Sequence, residues 1–116
     1  MSPQSDIDMA TLEELQATTD AKFVAEIVDA FCEDTPRYIA ELRESLTMQD
    51  LDTFRRAAHS IKSSSKIVGA LNLASQAAEL EQMARDDNLD DAAAKTERLA
   101  ASYDSVQQAL KVVAHG

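Results

Sequence analysis

The sequence predicts an all-α protein: an antiparallel up-down four-helix bundle with a short additional helix at its N-terminal side. Three observations carry this expectation. Apolar residues recur at three- and four-residue spacing through most of the 116 positions. Runs of β-branched or aromatic residues alternating with period two are absent. Glycine and proline number two each, too few for the turns of a sheet protein.

The elements follow in order. After a polar start, "TLEEL" at Thr11 to Leu15 reads as a short helix, with Thr11 as N-cap and Glu14 at capping-box spacing. A long helical pattern runs from about Asp20 to Met48, with Phe23, Ile27, Ala30 and Phe31 on one stripe and Tyr38, Ile39, Leu42 and Leu46 on another. Pro36 lies between the stripes. It removes one backbone bond and crowds the carbonyl of Cys32, so a kink or a break is expected there. Asp50 caps a third helix over Leu51 to Val68, which stops where Gly69 can turn left-handed. A fourth helix covers Leu73 to about Asp86 behind Asn72 as cap, with Leu73, Ala77, Leu80 and Ala84 inward. "RDDNLDD" is the last turn, and from Ala92 a stripe through Leu99, Tyr103, Val106 and Leu110 carries one helix to the end. Amphipathic helices with short connections bury their stripes against one another as a bundle.

Composition sets outer bounds. With 45% apolar and 28% charged residues, the chain has what one folded domain of 116 residues needs; residues 1–8 and 115–116 are expected to be flexible. A net charge of -10 argues against nucleic acid as partner, because phosphate binding needs a basic surface. The N-terminal "MSPQSDIDMA" lacks the basic start and apolar core of a signal peptide, and no apolar run approaches the roughly 18 residues of a membrane span. The single Cys32 forms no internal disulfide and fits a reducing, cytoplasmic setting; it reads as a small buried residue. No contact with a membrane is expected, and the protein is expected to be a monomer.

The segment "AAHSIKSSSKIVGA", Ala57 to Ala70, departs from this background. At about 100° per residue, Phe54, Ala58, Ile61, Ser65 and Val68 share one direction, the core stripe, and His59 points about 140° away, to solvent. Arg55, Lys62 and Lys66 lie within about 60° of it at helical-neighbour spacing, Ser63 flanks it, and Arg56 adds a further cation. Leu51 to Val68 holds four basic residues and one acidic residue, Asp52, and so carries +3, while the rest of the chain carries -13. Clustered cations favour the neutral imidazole, which is a nucleophile. A phosphoryl group on its ring nitrogen adds about two negative charges, which Lys62 one turn along is placed to neutralise. Ser65 turns inward, where its small side chain lets helices approach.

In order, "AAHSIKSSSKIVGALNL" followed by "LE" at Leu80 and Glu81 resembles the signature of histidine-containing phosphotransfer domains, and "DLDTFRRAAH" matches the helix leading to the site. The resemblance covers nearly the whole chain. It implies that His59 is phosphorylated, that Lys62 contacts the phosphoryl group and that Gly69 ends the helix. Glu81 matches a glutamate that orients the histidine ring in some members. Ser63 stands where the family usually has glycine. The partners implied are a response-regulator receiver domain, meeting Arg55, Arg56, Ser60, Lys62, Ser63 and Lys66, and a hybrid sensor histidine kinase. Phe54, Ile61, Ser65 and Gly69 are structural. No cofactor or metal is expected in this chain; the Mg²⁺ belongs to the receiver.

As an enzyme the chain is poorly equipped: it has no Glu-x-x-His pair for a di-iron site, no second histidine at helical spacing for zinc, and no glycine-rich phosphate loop. It therefore reads as a phosphocarrier without kinase activity of its own. His115, next to the C-terminus, carries no expected role. The competing reading is an acidic helical module that docks a signalling partner without carrying phosphate.

Overall fold

A computed structural model describes residues 7–18 and 20–115. Its helices are α1 (Met9–Thr18), α2 (Ala21–Met48), α3 (Leu51–Ile67), α4 (Leu71–Arg85) and α5 (Ala92–His115), with no strand among the described residues. Helices α2 to α5 form the antiparallel bundle, each packed on two neighbours, and α1 lies against α2. One continuous core runs through it. Val28, Leu42, Phe54, Ile61, Leu80 and Leu110 are all essentially inaccessible, which places the stripes read for α3, α4, α5 and the second half of α2 on the inside. The stripe expected in the first half of α2 is corrected: Phe23 and Ala30 are exposed and Ile27 is half-buried, while Val24, Val28 and Phe31 face the core. The buried faces of α3 and α4 are rich in small residues (Ala57, Ala58, Ser65; Ala74, Ala77), which permits a short distance between the two axes.

Local signals explain most boundaries. Asp20 accepts a 2.7 Å hydrogen bond from the Phe23 amide and starts α2. Asp50 does the same for α3, accepting from the Thr53 amide and, at 2.6 Å, its hydroxyl. Four further expectations are corrected. First, α2 is not broken at Pro36 but passes through it. The carbonyl that proline leaves without an amide partner is that of Cys32, and the Tyr103 hydroxyl of α5 donates to it at 2.9 Å. Burial pushes the Tyr103 hydroxyl up in pKa, so it stays protonated as a donor. Second, α4 begins at Leu71 with Ala70 at the cap position and no side-chain cap, so Asn72 is inside the helix. Third, α1 begins at Met9 rather than after Thr11, because Asp8 accepts from both the amide and the hydroxyl of Thr11. Fourth, Ile7 and Asp8, expected to be flexible, are packed: Ile7 is buried, and the Asp8 amide donates to the Gly69 carbonyl at 2.6 Å. Residues 1–6 and 116 lie outside the described residues, and so does the His115 side chain.

Gly69 therefore has a second task beyond ending α3. Its φ of +80° is a left-handed backbone, and a Cβ built there stands 2.9 Å from the Asp8 carbonyl oxygen and 3.2 Å from Thr11 Cβ. The Gly69→Ala variant is expected to lose about 2 kcal/mol from the left-handed conformation and this backbone clash together. Urea unfolding checks this; a variant as stable as the wild type would show that neither constraint matters.

Candidate functional site

The site sits midway along α3. Phe54, Ala58, Ile61 and Ser65 bury one face of this helix, and the turn geometry sends His59 out on the opposite side, with 54% of its side chain exposed. Across the groove to α4 lies Glu81, whose side chain is only 4% exposed. Three donors converge on this one carboxylate. His59 Nδ1 is 2.8 Å from Oε2, Lys62 Nζ is 2.5 Å from Oε1, and Arg85 Nη2 is 3.2 Å from Oε2. Burial pushes the Glu81 carboxyl up in pKa, but the hydrogen bonds and charges of Lys62 and His59 outweigh this and hold it below its ordinary value. It is ionised at neutral pH.

An ionised carboxylate only accepts, so the proton between Glu81 and the ring belongs to Nδ1. In the neutral form of the ring the lone pair is then on Nε2. This arrangement qualifies the electrostatics expected from α3 alone. Arg55 and Arg56 both pair with Asp52, at 3.0 and 3.1 Å, and Lys62 leans onto Glu81 rather than standing free beside the ring. The histidine faces a carboxylate as well as cations.

Of the residues expected at the site, His59, Lys62 and Glu81 are brought together. Ser63 and Lys66 are exposed on the same helix without joining the cluster. The Ser60 hydroxyl donates to the Arg56 carbonyl. Ser65 is buried with its hydroxyl unpartnered, as a space-saving residue. The sequence reading missed Arg85. The signal was there: it stands four residues after Glu81 on the same helix, the spacing of an acid–base pair.

An apolar groove of about 300 Å³ opens between α2 and α3, lined among others by Ile27, Phe31, Tyr38, Ser60 and Ile67. Ile67 is 55% exposed. No group of three or more metal-ligating side chains occurs among the described residues, and no helix there is long and apolar enough to cross a membrane.

Comparison with known proteins agrees with this geometry. A family model described as Hpt domain matches residues 26–109, the stretch that holds His59, Lys62, Glu81 and Arg85. The fold is similar to that in the crystal structure of histidine-containing phosphotransfer protein B (HptB) from Pseudomonas aeruginosa PAO1, with a TM-score of 0.89, 28% identity and 94% of each chain covered. No curated protein matches the chain. An exposed histidine set on a helical bundle, within a matched stretch of this length, makes the chain a member of the Hpt domain family of histidine phosphotransfer proteins.

Proposed function

We propose that this chain is a phosphorelay intermediate in which Nε2 of His59 accepts a phosphoryl group from an aspartate of a response-regulator receiver domain and returns it. The observation that carries this reading is the 2.8 Å contact between Nδ1 and the buried Glu81 carboxylate, which leaves Nε2 as the nucleophilic atom. In the forward step the Nε2 lone pair forms the N–P bond, the bond from phosphorus to the aspartyl oxygen breaks, and the aspartate leaves as carboxylate. Nδ1 keeps its proton, so the ring becomes cationic, and Glu81 opposite it stabilises that charge. The reverse step returns the electron pair to Nε2.

Such transfers depend on positioning and electrostatics more than on covalent chemistry by the carrier. The receiver supplies the metal and most of the catalytic groups. This chain contributes the oriented ring, the ammonium of Lys62 and a surface to dock against, with the apolar groove between α2 and α3 supplying contact area and the cations of α3 meeting the receiver's acidic site. It acts as carrier, not kinase; a hybrid sensor histidine kinase starts the relay, and the setting is cytoplasmic.

Incubation with a panel of phosphorylated receivers, followed by mass measurement at neutral or basic pH, tests the proposal. The chain gains one phosphoryl mass and passes it back to fresh receiver. A docking-only module would bind and gain none. The Lys62→Ala variant is expected to stay folded and to transfer about 10- to 100-fold more slowly, less than the loss of a fully enclosed oxyanion donor because Lys62 is in part open to water. Unchanged transfer would remove Lys62 from the mechanism.

A further inference from the structure

We propose that Arg85 is a positioning residue for phosphoryl transfer: it holds the buried Glu81 carboxylate when Lys62 turns from Glu81 to the phosphoryl group. This inference rests on the phosphotransfer reading of His59. Lys62 has two claims on it. At rest its Nζ contacts Glu81 Oε1 at 2.5 Å, and the reading above requires it to reach a phosphoryl group on Nε2. The more it serves the second, the less it serves the first. A carboxylate only 4% exposed cannot lose a charged partner to water at no cost.

Arg85 is placed to supply the difference. Its Nη2 donates to Glu81 Oε2 at 3.2 Å, a long contact on the oxygen that His59 also uses. The guanidinium is a planar fork whose further N–H groups can take Oε1 when Lys62 vacates it. Its side chain is 55% exposed, so it has room to move. It also sits in the last turn of α4, four residues after Glu81, the order of acid and base that suits the helix dipole.

Charge counting points the same way. At rest Glu81, Lys62 and Arg85 with a neutral ring carry a net single positive charge. A phosphoryl group of about two negative charges, with the ring made cationic, brings the cluster to neutral. Without Arg85 the phosphorylated cluster holds a net negative charge around a buried carboxylate.

The test measures transfer from a phosphorylated receiver, and the phosphorylated fraction at equilibrium, in wild type, Arg85→Ala, Arg85→Lys, Glu81→Gln and the Arg85→Ala/Glu81→Gln double variant. Arg85→Ala is expected to lower the equilibrium phosphorylated fraction ratio about 5-fold, the upper end for a partly exposed ion pair. Arg85→Lys restores most of it, and thermal unfolding of the unphosphorylated Arg85→Ala protein stays close to wild type. With Gln at position 81 no buried charge needs holding, so adding Arg85→Ala has no further effect. An Arg85→Ala effect of equal size in both backgrounds would mean direct contact with the phosphoryl group and would overturn the inference, as would an unchanged ratio. A wild type that takes up no phosphoryl group overturns the phosphotransfer reading and this inference with it; normal phosphorylation with an inert Arg85→Ala overturns the inference alone.

Discussion

The His59→Gln variant is expected to fold as the wild type does and to gain no phosphoryl mass from any donor that loads the wild type. The fold is indifferent to this side chain because it is 54% exposed and its one side-chain hydrogen bond is to Glu81. A glutamine amide can donate to the same carboxylate, so the stability change stays within about 0.5 kcal/mol. Chemistry is lost completely, because the amide nitrogen's lone pair is delocalised into its carbonyl and attacks nothing. Mass measurement at neutral or basic pH, where phosphohistidine survives, reads the outcome. A phosphoryl mass retained by the variant would place the acceptor elsewhere.

The second large effect is expected at Glu81. The Glu81→Leu variant should transfer about 100-fold more slowly, because nothing then fixes the proton on Nδ1 or the ring's orientation. Lys62 and Arg85 keep their charges but lose what positions them. Acid stability gives an independent readout. The Glu81 carboxyl titrates below its ordinary value of 4.5 in the fold, so its contribution is fully present above that value and is lost as pH falls through the depressed one. Wild type therefore loses stability in that acid window more steeply than Glu81→Gln, which has nothing to titrate. Equal slopes would mean that the carboxylate is not held by its partners as the geometry implies.

Much of this was legible from the chain alone. The inward stripes of α3 to α5 and of the second half of α2, the Asp50 cap, the stop at Gly69 and the outward His59 all follow from periodicity and local chemistry, which act over three or four residues. Part of what failed depended on contacts distant in sequence. Pro36 sits inside an unbroken helix because Tyr103, 71 residues beyond Cys32, satisfies the carbonyl it orphans. Gly69 is needed for Asp8 and Thr11 as much as for its own helix. The site divides the same way. The ring and its lysine are on one helix and were visible as such, whereas the carboxylate between them comes from α4, and only resemblance to a family suggested it. Pairing of Arg55 and Arg56 with Asp52 was within reach of helical spacing, and counting cations without their neighbouring acid overstated the positive field around the ring.

The most direct measurement is nuclear magnetic resonance of the phosphorylated chain labelled with ¹⁵N at histidine. The account predicts phosphorus coupled to Nε2 of His59, with Nδ1 still protonated. Phosphorus on Nδ1, or on any other residue, would contradict it.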